Sequence, residues 1–368
     1  MRRSSNAHHS PRRPGDLGDG LPGPVTLALA TVLWLMLLWI PATTNADEAP
    51  AEVPDPLSLE QALGFAETHP RVTAAARNAV ADGNSTDHNG AADATGTRSS
   101  PAMRFDLPRA QPLYLGCHSL AFSGARGNDA ERDVSWSGLL GRVAAQRLEI
   151  MQRFFDVLLA DLSFARDNEA MAVAFIQFDR AEARQELGQF SPLRTAELQA
   201  DYQRIRRQRA ASEAAQRVTR ALLATALGHP TSLPRQLITP TLEPAQAEPP
   251  ELDAIVATAL ENNPGLRALM QGRGGAEQAL VRMAVRERAL ELLTRLELLD
   301  IIAEQTRSES DWRDLKLDES RTLYELEAQA DLGFSMSQQT KARRDEREVA
   351  FCRALTRAEL QALQGLIP

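Results

Sequence analysis

An all-α fold, with long antiparallel helical hairpins (coiled-coil-like) in two internal repeats and little or no β structure, is predicted by three observations. The first is an echo: Leu57 to Ala76, LSLEQALGFAETHPRVTAAA, returns in altered form at Leu252 to Leu269, LDAIVATALENNPGLRAL. Aligning Pro70 with Pro264 sets Ala62 on Val256, Phe65 on Ala259, Ala66 on Leu260 and Val72 on Leu266. An apolar helix, a polar pair, a proline and a second helix therefore recur in the same order. The second observation is a long stretch after each copy whose apolar residues are spaced by three and four, the period of a helix face. The third is composition: aromatic residues make up 5% of the chain, and Ala, Leu, Arg, Glu and Gln dominate from Leu139 onward, as in long helices. Duplication on this scale points to stacked helical hairpins rather than a globule around one pocket.

Residues 1–46 read as a targeting segment. Arg2, Arg3, Arg12 and Arg13 precede the apolar run VTLALATVLWLMLLWI from Val25 to Ile40, and small residues at Thr44 and Ala46 suit cleavage after Ala46. The run is long for a signal core and short for a membrane span, so a retained membrane anchor is the alternative. Either way the bulk of the chain leaves the cytoplasm.

The first repeat occupies 47–228. Ser58 is placed to cap a helix starting near Leu59, and Pro70 interrupts that helix while biasing His69 away from helical geometry. An insert at 81–138 is expected to be flexible. Its first part, Ala81 to Ser100, is rich in Gly, Asn, Ser, Thr and Asp and has little to bury. Met103 to Ser123 offers one or two short extended segments. From Leu139 a helix is expected to reach Leu187, with Leu148, Met151, Phe155, Leu158, Leu162 and Ala165 along one face until Glu169 breaks the spacing. Gly188 supplies the C-cap, Gln189 to Ser191 make the turn, and Pro192 opens a return helix that runs to about Leu227. A Pro-rich linker, 229–250, leads to the second repeat at 251–368. There the glycines of QGRGGAEQ mark a bend, and Val285, Ala289, Leu292, Leu296, Leu299 and Ala303 repeat the four-three spacing. That helix is expected to end at Gly333, with a last helix from about Gln338 to Gln364.

The net charge of −8 and pI near 5.4 exclude a nucleic-acid-binding role, which needs a basic surface. No cofactor or metal site is expected. His8, His9, His69, His88, His118 and His229 have no metal-ligand spacing, and no glycine-rich loop follows a strand. Glu182 and Glu186, with Arg180 and Arg184 beside them, read as surface ion pairs rather than acid/base machinery, and the chain is not read as an enzyme. Cys117 and Cys352 sit in a compartment that permits a disulfide. So far apart in sequence, they read more readily as free buried thiols.

Taken in order, SLEQALGFAETHP, FFDVLLA, the turn LGQFSPLRT, ALENNPGLRAL and the second turn LGFSMSQQT resemble the TolC-like outer-membrane efflux protein family, over nearly everything from Leu57 to Gly365. That resemblance implies a homotrimer whose hairpins form or line a periplasmic tunnel, and a bacterial cell-envelope location in the periplasm and outer membrane. It also implies a periplasmic adaptor and an inner-membrane transporter as partners in a tripartite export system. The hairpin tips that meet the adaptor carry over to Gly188, Phe190, Ser191, Gly333, Phe334 and Ser335. The chain departs from the family in the second copy, where nothing is inserted between Pro264 and the long helix. In the first copy the insert lacks the alternating pattern of lipid-facing strands, so most or all of the barrel is expected to be missing. The other reading is a membrane-anchored periplasmic coiled-coil scaffold, adaptor-like and without transport activity.

Overall fold

The computed structural model describes residues 52–74, 111–124, 138–242, 251–326 and 332–366. The targeting segment, the polar loop at 81–100 and the linker from 243 to 250 lie outside them. The helices are α1 (Leu59–Gly64), α2 (Cys117–Ala121), α3 (Arg142–Glu186), α4 (Pro192–Leu227), α5 (Leu252–Asn262), α6 (Pro264–Met270), α7 (Gly275–Glu325) and α8 (Leu332–Leu363). Among the described residues the β pairing is one isolated parallel bridge, Leu57 with Leu237.

The two repeats are two hairpins, α3 with α4 and α7 with α8, and α8 also packs along α3. The four long helices therefore lie side by side in the order α4, α3, α8, α7. At 1.5 Å per residue the 45 residues of α3 extend about 68 Å and the 51 of α7 about 77 Å.

The start of each repeat explains why the echo exists. Ser58 caps α1 in a capping box: its hydroxyl accepts from the Gln61 amide, and the Gln61 side chain accepts from the Ser58 amide. At the first X-Pro step His69 Nδ1 accepts from the Arg71 amide at 3.1 Å, so Nε2 carries the proton and donates to the Thr225 carbonyl near the end of α4. At the second, Asn263 does the same with an amide. Its Oδ1 accepts from Gly265 and Leu266, while its Nδ2 donates to the Leu363 carbonyl at the end of α8 and to Leu139. A left-handed glycine completes each junction. A Cβ on Gly228 would stand 3.1 Å from Pro70 Cδ, and one on Gly365 would stand 2.7 Å from the Asn262 carbonyl. In each repeat the residue before the proline thus starts one helix and ties down the end of the returning one.

Two apolar clusters fill the halves of the long helices away from the turns. One gathers Leu57, Ala62, Phe154, Leu159, Leu223 and Phe351, and the other Ile255, Ala259, Leu266, Leu292 and Leu363. Phe155 stacks on Phe351 with centroids 4.6 Å apart, joining α3 to α8. The single apolar face expected on α3 is replaced by burial all round: every residue from Arg153 to Ala160 is buried, because α1, α4 and α8 surround this stretch. Ala165, assigned to that face, is exposed. The α7 seam follows its expected spacing, with Val285, Ala289, Leu292 and Leu299 buried. Toward the turns the buried residues become mostly small or polar, as at Ala174, Ala181, Thr195, Ser212, Ser310, Ser320 and Ser335, with Leu317 among them.

Residues 111–124, inside the insert expected to be flexible, are packed. The buried Asp156 carboxylate on α3 accepts from the backbone amides of Leu113, Tyr114 and Leu115 at 2.8–3.1 Å. The following residues form α2 instead of an extended segment. Cys117 and Cys352 are joined in a disulfide, against the reading as free thiols, with Cα atoms 5.1 Å apart. The linker is also fixed up to 242, since Leu57 exchanges backbone hydrogen bonds with Gln236 and Ile238.

Asn263→Ala is expected to lower unfolding free energy by about 2–4 kcal/mol, because it strands the Leu363 and Leu139 carbonyls and two amides. His69→Ala, with fewer bonds at stake, is expected to cost about 1–2 kcal/mol. Urea titrations monitored by circular dichroism measure both, and the reverse order would contradict the assignment. Reducing the disulfide, whose cysteines are 235 positions apart, is expected to remove on the order of 5 kcal/mol by freeing the unfolded chain. A urea midpoint unmoved by reductant would count against that bridge.

Candidate interaction surfaces at the hairpin ends and edges

The first turn is built as the sequence predicts. Gly188 adopts φ +70°, which directs its amide to the Gln185 carbonyl and the Gln189 and Phe190 amides to the Arg184 carbonyl. Ser191 caps α4 by accepting from the Arg194 amide, and Pro192 occupies the first helical position. Phe190 does not project into solvent. It is half-buried, and the Arg184 guanidinium lies 5.2 Å from its ring centroid. Leu187 and Leu193, which flank the turn, are 72% and 71% exposed. They are the apolar residues this tip presents, and sequence reasoning passed over them because both fall inside helical patterns. No ion pair joins Glu182 or Glu186 to Arg180 or Arg184 as expected; both glutamates are exposed and Arg184 serves the Phe190 ring.

The second turn departs from expectation. Gly333 is not the end of α7, which stops at Glu325; it lies in the first turn of α8. Its lack of a side chain serves a close approach, since a Cβ there would stand 2.6 Å from Val173 Cγ2 on α3. Ser335 is buried and shares a 2.7 Å hydrogen bond with Ser320 on α7. Phe334 is about half exposed. The six tip residues are therefore not brought together. Val173, beside Gly333, is 15 positions before Gly188, about 22 Å along α3. The first hairpin overhangs the start of α8 by that distance.

Charge along the hairpins is tied across helices. Arg220 forks onto Asp161 at 2.8 and 2.9 Å, joining α4 to α3. Thr340 donates to Glu169, joining α8 to α3. A denser group sits under α2: Arg295 reaches Glu291 and Glu359 at 2.7 and 2.9 Å, Arg288 pairs with both glutamates, and His118 Nδ1 is 3.3 Å from Glu291. Burial outweighs these carboxylates and lowers the Arg288 pKa. On α8, burial pushes the Glu348 carboxyl upward against the pull of Arg344. Such buried pairs fix how helices align more than they add net stability. Among the described residues no group of three or more His, Cys, Asp or Glu is placed to hold a metal ion, and no helix is long and apolar enough to cross a membrane.

The outer helices of the layer, α4 and α7, leave long faces open. Seven arginines against Glu197, Asp201 and Glu213 give α4 a net charge of +4. Twelve acidic against eight basic residues give α7 a net charge of −4. Exposed Leu290, Ile301, Trp312 and Leu315 fall within an arc of about 60° on α7, opposite the buried Leu292, Leu299 and Leu317, and Leu326 just past its end is exposed too.

No protein-family model matches the chain, and none of the curated proteins compared with it does. Among solved structures it is similar to the outer membrane protein VceC from Vibrio cholerae, at 11% identity and a TM-score of 0.49, covering 84% of this chain and 96% of that one. It is similar to CusC, described with its transmembrane channel formation, at 11% identity and a TM-score of 0.48, covering 83% and 96%. It is also similar to the open state of the outer membrane channel MtrE from Neisseria gonorrhoeae, at 15% identity and a TM-score of 0.39, covering 84% and 89%.

Proposed function

We propose that the chain is the helical-hairpin component of a TolC-like export assembly in the bacterial cell envelope, associating with copies of itself as a homotrimer to line a tunnel. The supporting observation is the pair of unlike open edges. A four-helix layer with a basic edge, α4, and an acidic edge carrying an apolar stripe, α7, is suited to head-to-tail association, in which α4 of one copy meets α7 of the next until the ring closes. The sequence resemblance supplies the copy number of three, the periplasmic adaptor and the inner-membrane transporter. The exposed Leu187 and Leu193 are the side chains offered to the adaptor in this reading, with Gly188 and Ser191 shaping the turn that presents them.

Sedimentation of the secreted chain is expected to show a trimer. Arg206→Glu with Arg207→Glu is expected to weaken association by 10-fold or more by placing like charges against α7 (about 1.4 kcal/mol per decade). A strictly monomeric parent chain, or a charge-reversed variant that associates equally well, would defeat the edge-to-edge reading. At the tip, Leu187→Ser with Leu193→Ser is expected to reduce co-purification of a periplasmic adaptor while helicity stays constant. Phe190→Ser is expected to have less effect, because that ring is engaged by Arg184. The opposite ranking would overturn the assignment of the contact.

A further inference from the structure

The first turns of α7 have almost no packing. From Gln271 to Ala284 every residue is exposed except the half-buried Gln278 and Val281, and the first buried side chain is Val285. This elbow between α6 and α7 is nonetheless well formed. The Glu277 carboxylate accepts from the Gly274 amide at 3.2 Å, and the Gln278 side chain donates to the Arg273 carbonyl at 3.1 Å. At 100° per residue, Ala276, Ala279, Leu280 and Met283 share an arc of about 100°, and Arg282 and Arg286 border it on one side. Leu280 and Met283 are 64% and 66% exposed. Arg267 on α6 and Arg273 in the bend are exposed as well.

Over residues 264–286 four arginines face one glutamate, a net charge of +3 in a chain of net charge −8. Arg286 is engaged by Asp253 on α5, while Arg267, Arg273 and Arg282 have no ion pair among the described residues. The rest of α7 has the opposite sign: from Glu297 to Glu325 nine acidic residues face four basic ones. Met283 lies in line with the apolar stripe of Leu290 and Ile301, so it is charge that distinguishes the elbow from the acidic edge assigned to contact between copies: the basic α4 that suits the edge repels the elbow.

We infer that the α6–α7 elbow is a membrane-surface contact: Leu280 and Met283 enter the headgroup boundary of a bilayer, and Arg267, Arg273 and Arg282 bind the phosphates of anionic lipids. An apolar arc with a cationic border and small residues, on the unpacked first turns of a long helix, is the pattern of an interfacial contact. The contact lies at the end of the layer opposite the first hairpin's turn and does not depend on ring closure.

The test measures the full secreted chain on vesicles of phosphatidylcholine alone and on vesicles one-third phosphatidylglycerol. It reads the ratio of the two affinities, so that binding through any retained apolar leader cancels. Each arginine near an anionic surface contributes about a 5-fold preference, so Arg267→Gln/Arg273→Gln/Arg282→Gln is expected to lower the ratio by about 100-fold. The preference of the parent chain is expected to fade in high salt. Leu280→Ser/Met283→Ser is expected to weaken binding to anionic vesicles with sedimentation and helicity unchanged. A ratio unaltered by the triple substitution would overturn the inference. So would a Leu280→Ser/Met283→Ser variant whose vesicle binding is intact but whose self-association is lost, since the face would then belong to contact between copies.

Discussion

A helix dozens of residues long gains little from propensity alone and needs a partner along its length. In this protein partnership is set at one end, where the residue before a proline closes each hairpin. Pro70 and Pro264 force the chain out of helix, and His69 and Asn263 use the break. One end of each side chain accepts amides that the new helix leaves open, and the other donates to a carbonyl that the returning helix leaves open. Because both carbonyls lie at the last turns of α4 and α8, the junction sets where each return helix stops against its own repeat. The glycines that follow, Gly228 and Gly365, permit the approach. The duplication is thus retained where geometry demands it and lost elsewhere.

Away from these junctions alignment passes from apolar packing to polar pairing. Around Phe155 and Phe351 the interior is aromatic and aliphatic. Toward the turns it narrows to mostly alanine, serine and threonine, with Leu317 among them, and Arg220 with Asp161 and Thr340 with Glu169 hold neighbouring helices in step. Small seam residues let helices lie close but bury little area, so directional bonds define the alignment there. Residues 111–124 are held by another set of means: three amides on Asp156, a disulfide to α8, and His118 beside Glu291 on α7.

Much of this was legible from residues whose local chemistry has a single structural use. Ser58 before LEQ, Gly188 before SP and Leu227-Gly228 before a proline specify caps, and the structure places helix ends at each of them. The second Leu-Gly misled because Gly333 serves a close approach to Val173 rather than a left-handed cap, a difference set by a neighbour on another helix. The disulfide was hidden by the same non-locality. Asp156 offered a signal that sequence reasoning did not use: a carboxylate inside FFDVLLAD, among residues buried on every side, requires donors from elsewhere in the chain. At the tip, Phe190 drew notice by being aromatic, while the leucines on either side were absorbed into helix periodicity.

The overhang of the first hairpin bears on how its turn is braced. With α8 starting some 22 Å short of Gly188 along α3, the last turns of α3 and the first of α4 have only each other for cover among the described elements, and nearly every residue from Glu182 to Arg194 is exposed. Ala181 and Thr195 are the buried pair that closes this arm. A load applied at Gly188 therefore acts on two helices rather than four.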